Sequence, residues 1–152
     1  MVKAFVFYDS KYGNTKLAGE KIAEGLGGGG VEVDLGYIKE VNPEHALDYD
    51  VMVLGAPNHM GKPSQAMKNF INHLAPLGLT NKKVAVFGTY AGKVRLLERA
   101  VRKKERMVQD KLPSTTLISP SLSVRVNGVS GPEVDGELPK CVSFGRVLVA
   151  QL

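Results

Sequence analysis

Three short stretches carry residue types that can do chemistry. Ser10-Lys11-Tyr12-Gly13-Asn14-Thr15 gathers hydroxyl, amide and ammonium groups around one glycine. It follows an apolar run at 2–8 and precedes residues with helical spacing. A polar loop between a buried strand and a helix start suits an anion, because the first helical N–H groups are unpaired and carry partial positive charge. Gly13 can let the backbone approach a ligand or take a positive φ. Ser10, Asn14 and Thr15, with the N–H groups of residues 11–15, are the expected phosphate holders, and Lys11 can add charge or simply be solvated. The other two stretches are Gly55-Ala56-Pro57-Asn58-His59-Met60-Gly61 and Gly88-Thr89-Tyr90-Ala91-Gly92, each directly after an apolar run.

The elements that position these stretches follow from periodicity. Residues 2–8, 31–35, 50–55 and 83–88 read as strands, and those at 2–8, 50–55 and 83–88 are largely continuous apolar runs, as in strands covered on both faces. Residues 115–126 form a fifth strand region that Pro120 can interrupt, since proline is poorly tolerated inside a sheet. Ala18, Ile22 and Leu26 mark a first helix that the glycines 27–30 end. Residues 37–47 read as a connection with one helical turn near Pro43. Met67, Phe70, Ile71 and Leu74 mark a second helix, with Ser64 as its N-cap. Residues 93–112 form a long basic helix with Leu97, Ala100, Val101 and Val108 inward, and residues 139–150 a last helix with Cys141, Phe144 and Leu148 inward. Strands alternating with helices predict an α/β fold with a doubly wound, five-stranded parallel sheet of order 2-1-3-4-5. In such sheets ligands bind at the carboxyl ends of strands, where the order reverses. The loops 9–15, 56–63 and 89–93 meet there.

Composition bounds the function classes. The chain has 152 residues, 43% of them apolar and 23% charged, which predicts one globular domain over 1–152. A single cysteine excludes an internal disulfide framework. No apolar run approaches a membrane span and no signal-peptide pattern opens the chain, so a cytoplasmic protein without membrane partners is expected. The net charge of +5 is concentrated in Arg95, Arg99, Arg102, Lys103, Lys104, Arg106 and Lys111, with acidic residues mixed in and no aromatics interleaved. That reads as a solvated helix face or a docking surface for an acidic partner, not a nucleic-acid site. His45, His59 and His73 are scattered and no carboxylates have ligand spacing, so neither a metal nor an acid–base pair is expected.

With these residues in view, the sequence resembles the flavodoxin family, specifically its short FMN-binding domains, over nearly the whole chain. The stretch 10–15 is similar to the family's phosphate loop, with Tyr12 where many members have Thr. The stretch 55–61 is similar to the second flavin loop and 88–92 to the third, in which a Tyr commonly stacks on the ring. Residues 135–145 resemble the start of the family's last helix. The resemblance implies FMN as cofactor and redox partner proteins. It also implies that Pro57, Asn58, His59, Met60, Gly61, Thr89, Tyr90, Ala91 and Gly92 surround the ring. Tyr90 would stack, His59 or Met60 would cover the inner face, and Asn58 and Thr89 would meet the pyrimidine edge. The chain departs from the family in having no Trp and in being basic.

Four rivals are weighed. A P-loop hydrolase fails because the stretch 55–62 has one residue too many and Pro63 replaces the required hydroxyl. A signalling receiver would need a carboxylate where Gly55 stands. An FMN-dependent NAD(P)H:quinone-type reductase would use the same loops. A flavodoxin-like binding module without flavin fits the missing Trp and the basic charge. The expected function is an electron carrier; its donor, acceptor, potentials and oligomeric state are not read from the chain.

Overall fold

The computed structural model describes residues 1–59, 62–91, 94–128 and 131–152, with only the backbone described for 59, 62–63 and 94–98. The chain order is β1 (Lys3–Tyr8), α1 (Asn14–Gly28), β2 (Glu32–Tyr37), a 3-10 turn (Pro43–Asp48), β3 (Val51–His59), β4 (Lys62–Pro63), α2 (Gln65–Leu74), a 3-10 turn (Ala75–Leu77), β5 (Lys83–Tyr90), α3 (Val94–Lys111), β6 (Thr116–Leu117), β7 (Leu122–Arg125) and α4 (Glu137–Val149). The main sheet is parallel in the order β2-β1-β3-β5, and β6 and β7 share the last position beside β5. This is the expected five-position doubly wound α/β sheet.

The alternation of side chains along each strand divides the core in two. Phe5, Phe7, Met52, Leu54, Val84 and Val86 face α2 and α3, where Met67, Phe70, Ile71, Leu74, Val108 and Leu112 complete the packing. Val6, Val53, Ala85 and Phe87 face α1 and α4, against Ala18, Ile22, Leu26, Cys141, Phe144 and Leu148. Each large side chain so buried contributes about 1.5–3 kcal/mol before chain entropy is counted. The caps are local. Ser64 Oγ accepts from the Met67 N–H at 3.2 Å, and Asn42 Oδ1 accepts from the Glu44 N–H at 3.0 Å.

Gly25 and Gly145 set how closely α1 and α4 pack. A Cβ on Gly145 would lie 2.3 Å from the Ile22 carbonyl oxygen, and one on Gly25 would lie 2.1 Å from that of Val142. The two helices touch backbone to backbone, a contact that no side chain can enter.

The structure corrects the sequence reading in four places. Residues 56–59 are not loop: they extend β3, with Ala56 opposite Gly88 and Pro57 opposite Thr89, and Asn58 and His59 pair antiparallel with β4. The fifth strand, by contrast, is broken around Pro120 as expected from its missing N–H. Val84 is opposite Leu117 and Phe87 opposite Leu122, so four residues, 118–121, span the length of two on β5. The first helix runs on through Gly27 and Gly28, and α4 begins at Glu137, because proline is tolerated in a helix's first turn. The largest correction is Lys104. It is not on the solvated face of α3 but completely buried. Its position follows from Ala100, Lys104, Val108 and Leu112, which recur every four residues on one helix face and are all buried. Leu97 is among the residues whose side chains are not described.

Candidate functional site

β1, β3 and β5 end together, and their last residues and following loops enclose a cleft of about 230 Å3. Ser10, Lys11, Tyr12, Asn14 and Thr15 line one wall, Pro57 and Asn58 the floor, and Thr89, Tyr90, Ala91 and Val126 the other wall. Ten of the candidates read from the sequence thus stand around one space. Gly13 is not itself in the lining; it sets the loop's path. Met60, Gly61 and Gly92 lie outside the described residues, as does the side chain of His59.

The phosphate-loop candidates are built on a strand-to-helix turn. Gly13 occupies the N-cap of α1 with φ 90, where residues with a Cβ are strained. Its N–H donates to Ser10 Oγ at 3.0 Å, and its carbonyl accepts the Leu17 N–H at 3.0 Å. No side chain caps α1, so its first turn depends on other acceptors. Thr15 is nearly inaccessible, and its hydroxyl shares a 2.8 Å hydrogen bond with Thr89. Each of these hydroxyls has one proton and two acceptor positions, so the pair retains one proton and three acceptor positions after bonding to each other. Lys11 lies over the half-exposed ring of Tyr12, 5.3 Å from its centroid, at the exposed rim of the cleft.

Asn58 has the least ordinary environment. It is buried, yet neither its Nδ2 nor its Oδ1 has a hydrogen-bond partner. Leaving such a group unsatisfied costs about 1–3 kcal/mol. Its side chain lies flat across Gly88, where a Cβ would come within 2.4 Å of Nδ2. An unpartnered amide in the lining of a cleft can pair with a planar ligand edge that has its own donor and acceptor. Flavin's pyrimidine ring has such an edge, and a phosphate-bearing flavin fits the donors present.

Sequence reasoning did not single out Val126 in the cleft lining, nor the buried side chains of Asp9 and Lys104. Val126 donates its N–H to the Tyr90 carbonyl at 2.7 Å and closes the far wall. Asp9, directly before the phosphate-loop candidates, is buried, and its N–H donates to Gly55 O at 2.9 Å. Lys104 Nζ donates to the Phe87 carbonyl at 2.7 Å. Burial pulls the Lys104 ammonium down to about 7, opposed by the field of Asp9. The four-residue spacing along α3 was the available signal for Lys104. Away from the cleft, burial pushes the Cys141 thiol up to about 12, in keeping with a core cysteine.

Comparison with known proteins agrees with this fold. A family model described as a flavodoxin domain matches residues 5–114. The flavodoxin of Aquifex aeolicus (strain VF5) is 40% identical over 73 residues, which are 47% of this chain and 40% of that protein. The NAD(P)H dehydrogenase (quinone) 3 of Rhizobium meliloti (strain 1021) is 28% identical over 109 residues, 59% of this chain and 51% of that protein. The chain therefore spans about half the length, or less, of these curated relatives. Among solved structures, oxidised flavodoxin 2 from Bacillus cereus superposes with a TM-score of 0.82 at 26% identity, covering 99% of both chains. A flavodoxin from the domain Archaea gives the same TM-score at 22% identity, covering 99% of this chain and 98% of that one.

Proposed function

This chain belongs to the flavodoxin family, and from that premise we propose that it binds FMN in the cleft and carries electrons between redox partner proteins. Flavodoxins generally bind flavin and pass electrons to partner proteins. The observation that carries the reading is the Asn58 amide, buried and unpartnered in the same cleft lining as the first residues of glycine-capped α1. FMN, when bound, supplies the redox chemistry, and the protein's part is to bind, orient and shield it.

In this reading residues 10–15 hold the phosphate through backbone N–H groups and the side chains of Ser10, Asn14 and Thr15. Asn58 and Thr89 meet the pyrimidine edge. Tyr90 stacks on the ring and excludes water from its face. Pro57 and Ala91 flank the ring, and His59, Met60, Gly61 and Gly92 complete the same two loops. Residues 1–152 act as one domain, and the proposed setting is the cytoplasm. Among the described residues no helix is long and apolar enough to cross a membrane. Arg99, Arg102, Arg106 and Lys111 remain exposed on α3 and suit an acidic partner.

A second reading is favoured by the relatives named NAD(P)H dehydrogenase (quinone): turnover of NAD(P)H with a quinone in the same cleft. The visible spectrum of the purified protein, before and after FMN is added and excess removed, tests both. Retained oxidised-flavin bands with reduction in two resolved one-electron steps support the carrier. Retained flavin with direct two-electron reduction and steady NAD(P)H consumption by quinone supports the reductase. A protein that retains no flavin overturns both and leaves the binding module.

A further inference from the structure

Lys104 is a fully buried amine that does not line the cleft but hydrogen-bonds the strand whose end does. We propose that Lys104 takes up a proton when the phosphate-bearing flavin enters the cleft, so that cofactor loading is linked to the protonation of this one side chain. The inference rests on the FMN reading of the site and adds a role to a residue outside it.

The geometry ties Lys104 to both walls. Its Nζ donates to Phe87 O at 2.7 Å. Thr89 lies two residues further along the same strand, about 7 Å at ordinary strand rise. The Thr89 hydroxyl is in turn 2.8 Å from that of Thr15 at the start of α1. The charge that acts on Lys104 is Asp9, the residue directly before Ser10. Lys104 is thus coupled to the strand leading to Tyr90 by a hydrogen bond and to the residue leading to the phosphate-loop candidates by charge. Charges in such a buried setting are little screened by salt.

The electrostatics give the direction. Burial holds the amine near 7, where neutral and charged forms are close in free energy and a modest field moves the balance. A phosphate monoester carries about −1.5 to −2 charge at neutral pH. An anion arriving near a buried amine favours its charged form. The proton comes from solvent and goes to the Nζ lone pair, converting the amine to an ammonium; no bond of the flavin changes. Lys68 and His73 on α2, Lys83 and Tyr90 on β5 and Arg125 on β7 also lie on elements packed against α3, while the charge that opposes the effect of burial on Lys104 is that of Asp9. The side chains of His59 on β3 and Lys62 on β4 fall outside the described residues.

Calorimetric titration of the apoprotein with FMN at pH 8, in two buffers of different ionisation heat, counts the protons taken up. Side-chain NMR of Lys104 in the apo and FMN-loaded wild-type protein reads the amine itself and needs no variant. The expected result is fractional proton uptake in the wild type and none in Lys104→Met. FMN affinity should fall by about fivefold between pH 7 and pH 9 in the wild type only, a typical coupling between sites. The Lys104 titration should move to higher pH in the loaded protein. Equal uptake in both proteins, or a Lys104 titration that FMN leaves in place, overturns the linkage while FMN binding itself stands. Failure of FMN to bind either protein overturns the FMN reading together with it.

Discussion

The hydroxyls of Thr15 and Thr89 lie 2.8 Å apart although 74 residues separate them in the chain. They join the first turn of α1 to the end of β5, so the two walls of the cleft are linked by one buried hydrogen bond. Removing one partner leaves the other unsatisfied, whereas removing both leaves an apolar contact of similar shape. Thr15→Val and Thr89→Val should each destabilise the apoprotein by about 1–2 kcal/mol, and the double variant should cost less than the sum. Urea unfolding of the four proteins measures the coupling; additive losses would show that the two hydroxyls act independently.

Asn58 should behave in the opposite way. Its amide is buried without partners, so Asn58→Leu removes a standing penalty. The apoprotein variant should be as stable as the wild type or more so. FMN affinity should fall at least about tenfold, the equivalent of one lost hydrogen bond to a buried partner. Thermal unfolding and fluorescence titration read the two effects separately. A destabilised variant with unchanged affinity would place Asn58 in the fold's service alone.

Tyr90→Ala should weaken FMN binding by about tenfold to hundredfold, from lost stacking and burial, and shift the reduction potentials. An unchanged dissociation constant would remove Tyr90 from the site.

Gly145→Ala tests the contact between α1 and α4. The added methyl meets the Ile22 carbonyl, which is backbone and cannot rotate away. A loss of about 1–3 kcal/mol is expected, the usual cost of overpacking. The urea midpoint is the readout, and a neutral result would mean that α4 can slide.

Lys104 also makes stability depend on pH in its own right. Its amine is near 7 when folded and about 10.4 when unfolded. Between these values the unfolded chain holds more protons, so rising pH favours the native state, by up to about 1.4 kcal/mol per unit. Below 7 both forms are protonated and the effect vanishes. Unfolding free energies at pH 7, 8 and 9 should therefore rise in the wild type relative to Lys104→Met. Parallel curves for the two proteins would show that Lys104 stays charged inside the fold.

The alternation of strands and helices, the sheet order and the meeting of three loops were all legible in the residues. Continuous apolar runs such as 83–88 and the stripe Met67, Phe70, Ile71 and Leu74 depend on periodicity, a property of neighbours in the chain. Right-handed crossovers then leave little choice of order. The tertiary structure decided what lies inside those loops. Ala56 to Asn58 became strand because β5 and β4 offered partners for their backbone groups. Thr15 found Thr89, and Asn58 lay across Gly88. Lys104 was read as surface because its charge outweighed its position; the rotation of α3 against the sheet put it with Ala100 and Val108 instead. Such pairings join residues far apart in sequence, and their free energies depend on burial, which no local pattern contains.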